Sequence, residues 1–257
     1  DKATIALPQV NRESRPDVQV RLLGFDRYQK DAENALWGRR LAVNRNVEEE
    51  FAHHGMRILL RRDEPRENHP EWYHLIQGER QTVERTSNAC LSSESLFDEV
   101  VRCVRFMADH YDLDYISVMP EDGLTRICEC EDCAGQQTIE RGKRGWFSDY
   151  VWEFTVRVAN EVAKTHPDLK ILAGAYSTYT LPPLTIDKLP DNILVQIVNG
   201  RPRTEADPQV HREVAELRAA WQEKTSNDLS VMMNYPPTGR GEFRPTFVPH
   251  VTAKGRR

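Results

Sequence analysis

The sequence has no long apolar run and no excess of basic residues. No stretch approaches the roughly 20 apolar residues that a transmembrane helix needs, so we expect no membrane span. The 257 residues include 35 Lys and Arg against 40 Asp and Glu, which gives a net charge of −5. Because nucleic-acid binding favours a basic surface, this balance argues against a nucleic acid as a partner.

Several cofactor and catalytic motifs are missing as well. There is no G-x-G-x-x-G after the first predicted strand, no G-x-x-x-x-G-K-[ST], no G-x-S-x-G and no H-E-x-x-H. Dinucleotide-binding proteins, P-loop nucleotide hydrolases, serine hydrolases and zinc peptidases therefore lose their usual sequence support. We expect no cofactor for catalysis.

Cysteine is scarce. The chain has five cysteines, an odd number, and Cys128, Cys130 and Cys133 lie within six residues of one another. Small secreted proteins stabilised by disulfides usually have an even number at regular spacing. The cysteines therefore do not indicate a disulfide framework, and they leave the cellular compartment open.

What the sequence does contain is an alternation of strand-like and helix-like segments. Short β-branched segments, typical of buried parallel strands, are predicted at 18–23, 56–60, 115–119, 169–176, 193–198, 229–235 and 246–248. Apolar residues spaced three or four apart predict amphipathic helices at 94–110, 145–164 and 208–224.

This alternation predicts an α/β fold with a parallel sheet and crossover helices. The first interpretation is a (β/α)8-type barrel. The sequence leaves open whether this barrel is complete or truncated, because fewer than eight strands are recognisable. An open doubly wound sheet is the alternative. We expect one barrel-like catalytic domain over residues 1–257 that is part of a longer protein.

Two long connections are candidates for functional loops. Residues 61–93 and 120–144 exceed the usual length of an α/β connection, and each is predicted to follow a strand directly. Loops after strands lie at the carboxyl-terminal face of the sheet, where barrel enzymes carry their active sites.

The second loop begins with two adjacent carboxylates, Glu121 and Asp122. Paired carboxylates at the end of a buried strand suit general acid/base catalysis, because like charges close together separate their pKa values. An ordinary Asp-Gly turn, with Gly123, explains the same residues equally well. We predict Glu121 and Asp122 as catalytic residues.

A second acidic pair, Asp63 and Glu64, follows Arg61 and Arg62. A solvated, ion-paired turn is the favoured interpretation of this segment. If both acidic pairs faced one cleft, they would match a glycosidase, since these enzymes generally use two carboxyl groups on either side of the scissile bond.

The loop cysteines form a C-x-C-x₂-C pattern that can supply three thiolates to Zn²⁺. We predict Cys128, Cys130 and Cys133 as ligands of a structural zinc. Cys90, Cys103 or a histidine would supply the fourth ligand. A local disulfide and free thiols are the alternatives.

Aromatic and polar side chains that suit sugar binding lie near the predicted loops and strand ends. Aromatic faces stack on sugar C–H groups, while amide, imidazole and guanidinium groups bind hydroxyls. The predicted substrate-binding residues are Arg40, His54, His69, Trp72, Asn88, Tyr176, Asn199, Asn234 and Tyr235. Each of them taken alone is more often structural than functional.

Four runs in the chain resemble a known family. They are His69-Pro70-Glu71-Trp72, Asn88 to Ser92, Ser117 to Gly123 and Cys128 to Cys133. In this order they resemble the domain-of-unknown-function 4838 family, over about residues 37–192. That family overlaps glycoside hydrolase family 163, whose characterised activity is endo-β-N-acetylglucosaminidase on N-glycans. It is also distantly similar to barrel α-glucuronidases.

The resemblance implies a barrel that binds a glycan, and it favours a secreted or periplasmic location. It also implies a retaining, substrate-assisted hydrolysis. In that reaction the substrate's acetamido oxygen attacks the anomeric carbon, one carboxylate orients the amide and a carboxylic acid protonates the leaving oxygen. Related enzymes commonly have the order Asp-Glu, whereas this chain has Glu121-Asp122. Only Asp122 matches the family pattern by position.

Two alternatives to this function stay open. The fold could serve as a carbohydrate-binding barrel without turnover, which the reversed carboxylate order and the missing strands would suit. An α-glucuronidase-like hydrolase is the other alternative, through the distant similarity.

Overall fold

The computed structural model describes residues 54–82, 88–111, 113–199 and 207–233, all within the unit Glu48–Arg257. The predicted strands 18–23 and 246–248 lie outside these residues, and the single domain over 1–257 stays a prediction. No helix in the described ranges combines the length and apolarity needed to cross a membrane.

The described part begins with short elements and continues with longer ones. The short elements are α1 (Arg57–Leu60), α2 (Asp63–Asn68), β1 (Leu75–Ile76) and β2 (Glu79–Arg80). The longer part contains α3 (Glu94–His110), β3 (Tyr115–Ser117), α4 (Ser148–Ala163), β4 (Lys170–Ala175), β5 (Ile193–Asn199), α5 (Pro208–Gln222) and β6 (Ser230–Met233). Single 3₁₀ turns lie at Pro70–Trp72, Glu131–Cys133, Ile139–Arg141 and Ser177–Tyr179.

The main sheet has four strands in the order β3-β4-β5-β6, and every neighbouring pair is parallel. The register places Ile116 beside Ile171, Ala173 beside Val195 and Ile197 beside Val231. The predicted parallel α/β sheet is therefore confirmed. Strands adjacent in sequence are adjacent in space, as in a barrel, but the described strands do not close one, so the barrel stays a prediction.

Helix boundaries follow from capping and apolar spacing. The Ser93 side chain accepts a hydrogen bond from the Leu96 N–H at 3.3 Å and caps α3, which buries Leu96, Val100, Val101 and Val104. Asp207 caps α5, whose first residue is Pro208. The predicted helix 94–110 is thus confirmed to the residue. The predicted helices 145–164 and 208–224 form with ends shortened by one to three residues.

Two tryptophans hold the connection after β4 against the helices. Trp152 of α4 and Trp221 of α5 are fully buried, with ring centroids 4.5 Å apart. The Trp152 indole N–H donates to the Tyr179 carbonyl at 3.4 Å, and that of Trp221 donates to the Thr180 carbonyl at 2.9 Å. The carboxyl-terminal end of β4, next to Tyr176, is therefore fixed by the core.

The prediction of a strand at 56–60 is wrong, because these residues form the helical turn α1. The Leu60 N–H donates to the Met56 carbonyl, and the Arg61 N–H donates to the Arg57 carbonyl, both at 3.0 Å. Periodicity does not separate a short apolar run in a strand from one in a helix. As a consequence, the loop 61–93 does not follow a strand, and it contains α2 and the antiparallel pair β1–β2.

Candidate functional site

The carboxyl-terminal end of β3 carries a group of polar side chains that we call the strand-end cluster. It consists of His54, Arg61, Glu121, Asp122 and Tyr176. The members come from three separate segments: the residues on either side of α1 (His54 before it, Arg61 after it), the loop after β3 and the end of β4. Parallel pairing of β3 with β4 brings the last two segments to the same edge of the sheet.

Glu121 is the buried member of the carboxylate pair. Its side chain is only 6% exposed, and its Oε2 accepts a hydrogen bond from Arg61 Nε at 2.8 Å. Its Oε1 accepts the backbone N–H of Asp122 at 3.0 Å. Both oxygens therefore have donors, and one of these donors is cationic.

Asp122 is the exposed member. Its Oδ1 accepts a hydrogen bond from the Tyr176 hydroxyl at 3.0 Å. Burial raises the pKa of Tyr176, and the hydrogen bond to Asp122 raises it further, so the hydroxyl remains a donor at neutral pH. The following residue, Gly123, has a φ of +84°, a region that glycine adopts without strain. This turn leaves the Asp122 side chain at the surface beside Tyr176.

The backbone next to the pair is fixed by the segment before α1. His54 is buried, and its Nδ1 lies 2.6 Å from the Pro120 carbonyl oxygen. The Met56 N–H donates to the Met119 carbonyl at 3.2 Å. A Cβ on Gly55 would lie 1.7 Å from the Ser117 carbonyl oxygen, so only glycine permits this approach to β3.

Behind Tyr176 lies a second tyrosine. Tyr179 is 1% exposed, its ring is edge-on to that of Tyr176 with centroids 6.3 Å apart, and its hydroxyl has no hydrogen-bond partner among the described residues. Burial raises the pKa of Tyr179, and the charges of Tyr176 and Asp122 raise it further. Tyr179 is therefore an uncharged side chain that packs behind the strand-end cluster.

A second candidate site lies further along the same loop. The Sγ atoms of Cys90, Cys128, Cys130 and Cys133 all lie within 4.8 Å of one another. We call this group the cysteine cluster. All four are free of disulfides, and only Cys130 is less than fully buried. Four sulfurs in one buried volume are a ligand set for a soft metal ion.

Three thiols of the cysteine cluster shift one another's pKa values, in opposite directions. Hydrogen bonds from Cys133 and Cys90 lower the pKa of Cys128. Hydrogen bonds with Cys128 and Cys133, together with burial, raise the pKa of Cys90, and the hydrogen bond with Cys128 raises that of Cys133 to about 11. His74 close by is also uncharged at neutral pH, because burial lowers its pKa to about 4.

Comparison with protein families assigns the chain. A sequence model of the family described as a domain of unknown function (DUF4838) matches residues 1–233. The chain belongs to this family. No curated protein matches it.

Among solved structures, part of the chain is similar to a β-N-acetylhexosaminidase from Bacteroides fragilis NCTC 9343. The identity is 18%, the TM-score is 0.37, and the match covers 60% of this chain and 28% of that one. The chain thus corresponds to less than a third of that structure. A likeness this distant carries no argument about activity.

Three of the predicted substrate-binding residues lie away from the hydrogen bonds of the strand-end cluster. Trp72 is buried and donates its indole N–H to Ser95 Oγ at 2.9 Å, and the His69 ring stacks on it with centroids 4.1 Å apart. Asn88 is buried, and in the part of the chain that the structure describes no group hydrogen-bonds to its Oδ1. These contacts make Trp72 part of the core, while the sugar-binding role of all three stays a prediction.

The other predicted residues divide into two groups. His54 and Tyr176 belong to the strand-end cluster, with ring centroids 5.9 Å apart. The backbone of Asn199 ends β5, but its side chain lies outside the described atoms. Arg40, Asn234 and Tyr235 lie outside the described residues.

A cleft of about 640 Å³ lies next to the cysteine cluster, between the first turns of α3 and α4. Its lining includes Arg80, Cys90, Cys130, Tyr150 and Arg157. The carboxylates of the strand-end cluster do not line it, so it is a separate surface feature.

Sequence reasoning missed the partner of Glu121. The segment 61–65 was interpreted as an ion-paired turn, whereas Arg61 pairs with Glu121, 60 residues away. Asp63 and Glu64 are exposed and form the first turn of α2, where acidic residues stabilise the helix dipole. They do not take part in the strand-end cluster contacts.

Proposed function

We propose that the chain is the catalytic part of a glycoside hydrolase, with the strand-end cluster as its active site. The observation that carries this proposal is the pair Glu121 and Asp122, two adjacent carboxylates in different environments at the carboxyl-terminal end of a parallel strand. Such pairs perform acid/base chemistry on glycosidic bonds. The resemblance of the motifs to glycan hydrolases supports the choice of a sugar substrate.

Asp122 is the carboxylate that contacts the substrate in this proposal. It is exposed, and the Tyr176 hydroxyl occupies only Oδ1. The second oxygen is therefore available to accept the amide N–H of an N-acetylglucosamine unit. That contact would orient the acetamido oxygen toward the anomeric carbon, as a retaining, substrate-assisted reaction requires.

Glu121 has a different role while Arg61 is bound to it. Arg61 and the Asp122 N–H occupy its two oxygens, so in this arrangement Glu121 is a positioning residue that fixes the backbone of Asp122. It can become a proton donor only in a substrate complex in which Arg61 has left its carboxylate and the carboxylate has taken up a proton from water. Arg61 is half exposed and has room for that movement.

The test is a hydrolysis assay on N-glycans and on glucuronoxylan fragments, read by mass spectrometry. We expect cleavage within the chitobiose core of an N-glycan by the protein. The Asp122→Asn variant should lose roughly 10²–10⁴-fold in rate, the usual range for a group that acts on a proton or a hydrogen bond in the transition state. Asp63→Asn, at an exposed carboxylate in α2, is the matched control and should retain full activity.

Substrates with different leaving groups distinguish the two possible roles of Glu121, proton donor and positioning residue. If Glu121 donates the proton, Glu121→Gln should keep activity on aryl glycosides, whose leaving groups need little protonation, and lose it on N-glycans. If Glu121 only positions Asp122, both substrates should slow equally.

Two outcomes would contradict the proposal. Wild-type rates in Asp122→Asn and Glu121→Gln would remove the strand-end cluster from the reaction. Binding of glycans without product, from folded protein, would replace the hydrolase with a carbohydrate-binding module, and release of glucuronic acid alone would indicate the α-glucuronidase-like activity.

A further inference from the structure

The cysteine cluster joins distant parts of the chain. Cys90 lies just before α3, and the other three cysteines lie in the loop after β3, nearly forty residues later. Cys90 Sγ is 3.6 Å from Cys130 Sγ and 3.6 Å from Cys133 Sγ. The fifth cysteine, Cys103, is separate and hydrogen-bonds to Glu99 within α3.

These sulfur separations match a tetrahedral site for a single ion. With Zn–S bonds of 2.3 Å, the edges of a regular ZnS₄ tetrahedron are about 3.8 Å long. A disulfide would need a separation of about 2.05 Å. A [4Fe–4S] cluster would need the sulfurs farther apart, because each cysteine then binds a different iron atom.

The surroundings suit a ZnS₄ centre, which carries two negative charges. The Leu75 N–H donates to Cys128 Sγ at 3.2 Å, and Arg80 Nη1 lies 3.9 Å from the same sulfur. The Tyr150 hydroxyl lies 3.3 Å from Cys133 Sγ. Backbone N–H, hydroxyl and guanidinium donors around thiolates are the outer contacts that orient and stabilise such ligands.

We propose that Cys90, Cys128, Cys130 and Cys133 bind one Zn²⁺ ion in a closed, structural site. All four positions of the ion are filled by sulfur, so none is left for water or substrate. The ion fastens the loop after β3 to the residues before α3 and, through Leu75 and Glu129, to β1. The assignment is independent of the hydrolase proposal, because the zinc takes no part in hydrolysis.

The first experiment is elemental analysis of the full chain, produced in medium that contains zinc and purified without chelators or a metal-affinity column. We expect one zinc per chain. Cys90→Ser should reduce the zinc content at least tenfold, whereas Cys103→Ser, the matched control outside the cluster, should leave it unchanged. Equimolar iron in place of zinc, or no zinc even after refolding with excess Zn²⁺, would overturn the proposal.

A second measurement on the unmodified protein covers the case in which Cys90→Ser fails to fold. A thiol reagent is added while a zinc-binding dye reports free metal. Release of one zinc should parallel the reaction of four thiols, with Cys103 reacting separately. Mass spectrometry of the unreduced, alkylated protein shows whether any of the four cysteines form a disulfide. A disulfide among them would overturn the proposal. Replacement of the metal by Co²⁺ should give the intense visible bands of tetrahedral thiolate coordination.

Discussion

The strand-end cluster and the cysteine cluster lie on the same connection, residues 118–147 between β3 and α4, yet they are built in opposite ways. The first leaves a carboxylate at the surface and is positioned by the side chains of His54 and Arg61, which flank α1, and of Tyr176 at the end of β4. The second buries sulfur atoms and depends on cysteine side chains that two separate loops bring together. The contrast suggests that one end of the loop meets a ligand and the other end holds the loop in place.

The largest effect should come from the backbone contact that supports the strand-end cluster. In Gly55→Ala the new Cβ would lie 1.7 Å from the Ser117 carbonyl oxygen, and a backbone atom cannot move aside easily. We expect the free energy of unfolding, measured in urea, to fall by about 3 kcal/mol, the upper part of the range for overpacked sites.

Gly174→Ala is the matched control for this substitution. Its Cβ would meet the Met119 sulfur at 2.7 Å and the terminal methyl at 2.9 Å, both on a flexible side chain. It should cost about 1 kcal/mol. Equal losses in the two variants would show that the segment before α1 does not depend on a close approach to β3.

Substitutions of the two carboxylates should have different effects on stability and on activity. Glu121→Gln removes the buried charge that pairs with Arg61, so we expect a loss of about 1–3 kcal/mol in urea unfolding. Asp122→Asn changes an exposed group and should cost less than about 0.5 kcal/mol, although it should lose the most activity.

The thiol reactivity of the cysteine cluster is the accompanying readout in both variants. We expect it to be unchanged, because the two clusters share no hydrogen bond in the described part of the chain. If the four thiols became reactive in Glu121→Gln, the two clusters would be structurally coupled, and the contrast drawn between them would be wrong.

The elements that could be predicted from the sequence have strong local signals. Helix 94–110 has a serine cap and a regular apolar face, and β4 and β5 are short, mainly apolar runs, with Gln196 as the polar residue inside β5. The segment 56–60 failed because four or five apolar residues suit a strand and a helical turn equally. The connection 176–192 has only a 3₁₀ turn where the pattern of a barrel would place a helix.

The site could be predicted only as far as its residues are neighbours in sequence. Glu121 and Asp122 are adjacent, and Cys128, Cys130 and Cys133 share one short loop. Arg61 and Cys90 reach these groups through tertiary packing, which no local pattern encodes. Cys90 was one of several candidates for a fourth ligand, and the structure places it, rather than Cys103, in the cluster.

The smallest expected effect is a change in the titration of Tyr176, which sharpens the description of Asp122 as a charged group beside a hydroxyl. Burial raises the pKa of Tyr176, and Asp122 raises it further by accepting its hydrogen bond and by its charge. Asp122→Asn should therefore lower that pKa toward the ordinary value for tyrosine. The measurement is ultraviolet titration above pH 9, with Tyr176→Phe subtracted to isolate one phenol among the eight tyrosines.

Because the folded protein holds this proton more tightly than the unfolded chain, the contribution of Tyr176 to stability is complete below pH 10. It declines as the pH rises through the raised pKa, and an unchanged Tyr176 titration in Asp122→Asn would show that the hydrogen bond does not form in solution.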